Sequence, residues 1–381
     1  MPTPDPGPRT PVLGIYLHIP FCLERCHFCS FNTGPYDPQA MERFLDALHR
    51  EIEQYGQAAG ASSIRIRSVF FGGGTPSLLS GDELAGLLDH IRKYFQFQPD
   101  AEITVECNPE SVDREKFEAY RCAGVSRISL GVQSLDDGLL TRLGRLHNSS
   151  GAKSAYEAAR AARFTNVNVD LIYGLPGLNL FGWERTLREV LTWQPDHLSC
   201  YGLTLDDGSL WGSRGVSGLP DEDEVVTQYW SAVRLTAEAG HEHYEISNYA
   251  RPGFRSVHNQ IYWRTEEYLA LGPGGCGFLG SVRYSNVKPV DRYCSLLERD
   301  QSPIGQREEL TASTLASDRI ILGLRLQEGV PLSWIRERFG PSRDALLEAW
   351  KAQGHIVQER EIIRLTESGR LVSDSIFVEF L

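Results

Sequence analysis

Between residues 12 and 250, short apolar, β-branched runs take turns with longer amphipathic stretches. The candidate strands are VLGIYLHI (12–19), IRSVFF (66–71), EITVEC (102–107), RISLGV (127–132), VNVDLIY (167–173), HLSCYGL (197–203) and HEHYEIS (241–247). Helical spacing falls near 38–58, 80–95, 113–122, 136–144, 150–163, 182–193 and 221–239. Near-continuous apolar strands alternating with helices predict an α/β fold whose parallel sheet is wrapped by helices. Six or seven such units make a complete or partial βα barrel of the TIM type, which keeps its chemistry at the C-terminal strand ends. The pattern fits, because the strands run into HIPFC, FFGGGTP, VECNPE, LGVQS and NVDLIYGLPG.

Beyond about residue 300 the alternation stops. LTASTLASDRIILGLRL, PLSWIRERFG and SRDALLEAWKAQG read as three helices, HIVQER and IIRLTE as a hairpin, and the remainder as a final helix to Leu381. The expected organisation is a flexible tail (1–11), a barrel (12–250), a segment and connector containing HNQIYW (251–305), and a small winged-helix-like domain (306–381). A chain of 381 residues exceeds what one core usually covers, which agrees with two domains.

Charge narrows the function. A formal net charge of -12 argues against a general phosphate-binding surface, so no nucleic-acid partner is expected. Packing or a lid is therefore the expected role of the winged-helix-like unit. The proline-rich start MPTPDPGPRTP has neither the basic nor the apolar region of a signal peptide. No apolar run approaches the roughly 20 residues of a membrane span, so a cytoplasmic protein is expected.

Cysteine is where the chemistry enters. Cys22, Cys26 and Cys29 form C-x3-C-x2-C directly after a strand, while the other five cysteines are scattered and read as small apolar core residues. Clustered thiolates suit zinc or an iron–sulfur cluster. Zinc normally takes four protein ligands, with His18 or His27 as the available fourth. A [4Fe–4S] cube held by three cysteines instead leaves one iron open to a reactant. Further along, GGGTP (72–76) offers glycine backbone for close approach to a ligand and free N–H groups to bind its polar atoms. Glu106, Gln133, Arg145 and Asp170 each read singly as surface or capping groups. Together at strand ends they make a site, with carboxylates for hydroxyl or amino groups and arginine for a carboxylate.

CLERCHFC resembles the signature of radical S-adenosylmethionine (radical SAM) proteins. That resemblance implies a [4Fe–4S] cluster on Cys22, Cys26 and Cys29, with SAM on the open iron. The order of YLHIPFCLERCHFC, FFGGGTPSLLS, ECNPE, RISLGVQS, LGRLH, NVDLIYGLPG and EISNYA is similar to the HemN family over nearly the whole chain. By that likeness Tyr16, Phe28, Gly73, Gly74, Thr75, Glu106, Gln133, Arg145 and Asp170 correspond to SAM-contacting positions.

Within the family two branches compete. The oxygen-independent coproporphyrinogen III dehydrogenases carry a further cysteine where this chain has Phe31, and a longer region before the residue corresponding to Tyr16. HNQIYW (258–263) resembles the H-N-x-x-Y-W motif of the HemW-type haem chaperone branch, which implies haem as cargo, His258 as its ligand and apo-haemoproteins as recipients. A radical SAM enzyme acting on a porphyrinogen, or a HemN-like methyltransferase, is the alternative. Both a monomer and a homodimer are compatible with the sequence. The loop YLALGPGGCGFLGSVRYSN departs from both branches, and Cys276 within it is either a chance small residue or a modulator of the site.

Overall fold

Six βα units follow one another in the computed structural model, which describes residues 12–58 and 61–381. They are β1 (Val12–Ile19) with α1 (Pro38–Gly56), β2 (Arg65–Gly73) with α2 (Gly81–Tyr94), and β3 (Gln96–Cys107) with α3 (Arg114–Ala123). The next are β4 (Arg127–Gln133) with α4 (Asp137–Leu143) and α5 (Ser149–Ala161), β5 (Val167–Tyr173) with α6 (Leu180–Thr192), and β6 (His197–Gly202) with α7 (Glu222–Glu238). The expected tail 1–11 lies outside the described residues.

Local chemistry starts the helices where the pattern placed them. Asp37 accepts the Ala40 N–H at the head of α1, and Ser80 and Glu83 form a reciprocal capping box at α2. Asn148 and Asn179 cap α5 and α6 in the same way. The strands are sealed by Ile15, Leu17, Val69, Phe71, Val105, Leu130 and Val169, all buried between helices and sheet.

The seventh expected strand is different. Of HEHYEIS only β7 (Glu242–His243) is extended in a ladder, and the chain then turns back as β8 (Asn248–Ala250), antiparallel to β6. Tyr244 points inward to hydrogen-bond His197, and Glu245 accepts from Asn248, so the polar members of the motif serve the turn. The barrel therefore stays partial, with six βα units.

The segment 251–305, expected as a connector, is also structured. After α8 (Val257–Trp263) the chain forms β9 (Tyr268–Leu271), β10 (Cys276–Leu279) and β11 (Val282–Asn286), then β12 (Ile304–Glu309). β9 joins the barrel parallel to β1, and the other three extend the sheet as an antiparallel meander. The order is β12-β11-β10-β9-β1-β2-β3-β4-β5-β6-β8-β7, and its two end strands do not meet. Gly272, Gly274 and Gly280 hold positive φ at the turns, which is why glycine interrupts the apolar pattern that would have marked strands. A fully buried carboxylate anchors this meander to α1. Glu51 accepts from Gly272 N (2.8 Å), Asn286 Nδ2 (2.7 Å) and the Tyr293 hydroxyl (2.6 Å), and burial pushes its carboxyl up to about 7.

A separate apolar cluster that includes Ile320, Leu324, Ile335, Leu347, Ile363 and Phe377 organises the C-terminal unit. Its helices α9 (Ala312–Leu324), α10 (Leu332–Phe339) and α11 (Asp344–Ala352) pack with a small sheet of β13 (Val330–Pro331), β14 (Ile356–Glu359) and β15 (Ile362–Leu365). The single final helix expected from the sequence is broken into three short turns, Glu367–Leu371, Ser373–Phe377 and Val378–Phe380. The first of these grips the barrel, with His243 Nδ1 2.6 Å from Glu367 and Arg370 donating to the His243 carbonyl.

Candidate functional site

The loop leaving β1 carries all three clustered cysteines, and hydrogen bonds from distant elements hold it open around a cavity. Arg25 donates to the carbonyls of Cys29 and Gly208, His27 N donates to Leu143 O, and Trp211 N donates to His27 O. The segment at the end of β2 closes against it, with Gly74 N bonded to Ile19 O and Thr75 N to Phe21 O. A Cβ on Gly74 would lie 2.5 Å from the Phe21 carbonyl oxygen, and Gly73 has φ +110° with the His18 ring 2.8 Å from where its Cβ would be. Glycine is thus required here for the approach of protein to protein. The N–H groups of Gly74 and Thr75 are engaged within the chain, a correction to the expectation of free donors facing a ligand.

Cys22, Cys26 and Cys29 face a cavity of about 390 Å³. Thr75 Oγ1 donates to Cys22 Sγ (3.4 Å) and Arg145 Nη1 to Cys26 Sγ (3.4 Å). Burial raises the Cys22 and Cys29 thiols, and metal coordination displaces such protons. Among the described residues, no group of three His, Cys, Asp or Glu side chains is arranged to hold one metal ion. His18 has both nitrogens occupied, by the Tyr16 hydroxyl (3.0 Å) and by Asn32 O (2.8 Å), and His27 Nδ1 is 2.8 Å from Arg142 O. His18 is thus fully engaged, and among the described residues His27 does not close with the cysteines around one ion. Three half-buried thiols spread along a cavity wall, two of them accepting hydrogen bonds, fit the separated irons of a cluster.

Eleven of the thirteen residues singled out by the sequence line this one cavity. Phe28 packs at its edge against the core. Glu106, at the end of β3, accepts from Gly73 N (3.3 Å), and burial together with nearby Asp170 pushes its carboxyl up to about 8. Asp170 on β5, itself raised by burial, accepts from Ser129 Oγ (3.1 Å) and Asn168 Nδ2 (2.7 Å). Gln133 ends β4 with φ +67°, an uncommon backbone for a non-glycine residue. Arg145 reaches back from beyond α4 to Asn108 Oδ1 (2.8 Å) and Gly131 O (2.6 Å), and its buried Nε has no partner. An arginine edge left unpaired in this cavity can receive a carboxylate ligand.

Sequence reasoning missed two residues. Asn108 connects Thr75 and Arg145, and so couples the groups that touch Cys22 and Cys26. It stands in the conspicuous ECNPE, which was the available signal. Arg127 lines the cavity while nearly fully buried, with its Nε unpaired. As the first residue of a strand it gave no sign of this.

Tyr16 and His258 lie outside that cavity. Tyr16 lines a second one of about 640 Å³, to which Phe31, Gly73 and Glu106 also belong, so the two share a wall. Tyr262, Trp263, Tyr268 and Phe278 give the second cavity aromatic surface, and Arg283 and Lys288 give it positive charge. His258 is 1% exposed, with Nδ1 2.7 Å from Ser68 Oγ and Nε2 2.7 Å from the Tyr262 hydroxyl. Burial, with Arg127 nearby, pushes its imidazole down to about 3. Both nitrogens are engaged, so here His258, expected as the haem ligand, pins α8 to β2, and ligating iron would require it to leave one of these partners. Of the scattered cysteines, Cys107, Cys200 and Cys294 are buried as expected, whereas Cys122 and Cys276 are exposed.

A partial barrel with three thiols at the end of its first strand defines the class as radical SAM. Residues 16–190 match the Radical SAM superfamily model and residues 310–372 the HemN C-terminal domain model. The chain is 38% identical over 379 residues to the Heme chaperone HemW of Mycobacterium tuberculosis, covering 97% of this chain and 95% of that protein. It is 33% identical over 374 residues to the Heme chaperone HemW of Bacillus subtilis, covering 96% and 98%. The solved coproporphyrinogen III oxidase (HemN) from Escherichia coli has the same fold, with a TM-score of 0.85 at 24% identity over 97% of this chain and 90% of that one. This chain belongs to the HemW family of the radical SAM superfamily.

Proposed function

We propose that this protein is a haem chaperone that carries a [4Fe–4S] cluster on Cys22, Cys26 and Cys29 with SAM beside it, and holds haem for transfer to apo-haemoproteins. The observation that carries this reading is the second cavity. Its aromatic walls suit the faces of a macrocycle, and Arg283 and Lys288 suit its propionates. Lys288 makes no salt bridge among the described residues, which leaves its charge available to a ligand.

In the first cavity a cluster held by Cys22, Cys26 and Cys29 would supply a site for SAM and a reducing electron. The chain supplies the rest: Arg145 for the carboxylate of SAM, and Glu106 and Asp170 for its amino and ribose groups. The fit of thiols, hydrogen-bond donors and orphaned arginine described above supports this assignment. Similarity to curated proteins named heme chaperones, over almost the full length, supports haem over a porphyrinogen. Free clustered thiols suit a reducing compartment such as the cytoplasm.

The test is an anaerobic haem titration of the cluster-reconstituted protein, followed by the Soret band. Saturable binding near one haem per chain is expected, weakened about tenfold by Lys288→Glu, which reverses a charge facing the propionates. Absence of saturable binding, with SAM-dependent turnover of a porphyrinogen instead, would overturn the reading in favour of the radical enzyme.

A further inference from the structure

The hairpin of β10 and β11 forms one wall of the second cavity, and its register decides which side chains face inward. Cys276 stands opposite Ser285, and Phe278 opposite Arg283. Tyr268 on β9 stands opposite Phe278. Directly paired residues, and residues two apart on a strand, share a face of the sheet. Cys276, Phe278, Tyr268 and Arg283 therefore lie on the same face, and all four line the cavity.

Several groups around that cavity could ligate iron, and hydrogen bonds remove most of them. Both nitrogens of His18 are engaged, and the Tyr16 hydroxyl is the partner of His18 Nδ1. The Tyr262 hydroxyl is the partner of His258 Nε2, which occupies both groups at once. The Cys276 thiol remains, exposed and held only by a long contact of 3.7 Å to the Gly274 carbonyl. The Tyr268 phenol also remains, but burial pushes it up to about 12, so ionising it is harder. Lys288 and Arg283 both favour the thiolate of Cys276, against the burial that raises it.

We infer that Cys276 is the axial ligand of haem iron in this cavity, with the aromatic wall on the macrocycle and Arg283 and Lys288 toward its propionates. This rests on the haem-chaperone reading and names the ligand atom within it. On binding, the thiol releases its proton to solvent as the Fe–S bond forms, and the iron keeps its oxidation state. Thiolate ligation is a known mode for haem iron and gives spectra unlike those of imidazole or phenolate.

The experiment is the anaerobic haem titration of the full-length, cluster-loaded protein, compared with Cys276→Ser and Tyr268→Phe. Ligation is read by magnetic circular dichroism of the ferric haem and by the Soret position of its ferrous carbon monoxide adduct. The wild type is expected to show thiolate ligation and Tyr268→Phe to keep it. Cys276→Ser is expected to lose it and to bind haem about tenfold or more weakly, a difference of at least 1.4 kcal/mol. Unchanged iron content and melting temperature in Cys276→Ser would establish that the variant folds. Saturable haem binding without a thiolate signature, or with a phenolate signature abolished by Tyr268→Phe, would overturn the ligand assignment while leaving the chaperone reading intact. Failure of the wild type to bind haem saturably would overturn both.

Discussion

His258 Nε2 lies 2.7 Å from the hydroxyl of Tyr262, one turn further along the same helix. The hydrogen bond thus runs between the first and fifth residues of HNQIYW, and Ser68 on β2 takes the other ring nitrogen. The histidine joins helix to barrel, and the motif packs against β2.

The first prediction follows from that arrangement. His258→Ala would leave two hydroxyls unpaired and a void beside Phe70, whose ring centroid lies 5.1 Å from the imidazole. A loss of about 2 to 4 kcal/mol in stability is expected, measured by thermal or denaturant unfolding. A variant that melts like the wild type yet no longer binds haem would mean that the imidazole leaves both partners for iron.

Each cluster ligand is expected to be indispensable. Cys22→Ala, Cys26→Ala and Cys29→Ala should each abolish the iron–sulfur absorbance and lower bound iron to near zero after reconstitution. Cys122→Ser, on the exposed side of α3, should retain both. Equal iron loss in Cys122→Ser would contradict the assignment.

Arg145 touches Cys26 Sγ and leaves its Nε unpaired in the cavity. Arg145→Lys keeps the charge but loses the fork, so SAM affinity should fall about 10- to 100-fold, the range for a lost hydrogen bond to a charged group. The cluster potential should also shift downward, because a donor to a ligating sulfur is removed. Equilibrium binding and redox titration read the two effects separately, and wild-type values in both would reject the role.

Stability should depend on pH through Glu51. Its folded carboxyl is raised to about 7 by burial, above the ordinary carboxylate value. The folded state therefore binds the proton more tightly than the unfolded chain does, so stability is full below about pH 4.5 and is lost as pH rises toward 7. The loss is on the order of 3 kcal/mol by the size of the shift. Glu106, raised to about 8, adds a loss of the same sign reaching higher pH. Glu51→Gln should roughly halve the slope of the stability profile between about pH 4.5 and 7, where Glu106 still contributes, and leave the part above about pH 7 unchanged. An unchanged profile would show that Glu51 does not titrate there.

What could be read from the sequence divides along physical lines. The six barrel strands were legible because the central stretch of each is buried on both faces and so reads as a continuous apolar run ending in polar or glycine residues. The cysteine cluster was legible because its spacing alone places three thiols on one loop. The meander around Cys276 was not, since its glycines and half-exposed strands break the pattern that marks a buried strand. Asn108 and the two engaged nitrogens of His258 were hidden for a different reason. Their partners lie far away in the chain, with Ser68 at a separation of 190 residues, and no local pattern reports such a pairing.

Phe31, Gly73 and Glu106 each face two chambers, and that shared partition carries a thermodynamic obligation. A molecule that settles against these three groups from one side alters the packing and charge met by a molecule on the other. Whatever factor the first applies to the affinity of the second, the second must return to the first, because the free energy of the doubly loaded protein is independent of the order of loading. With a cluster and its ligand in one chamber and a cargo in the other, grip on the cargo would be tied to what stands over the cluster, through one layer of side chains and without a hinge.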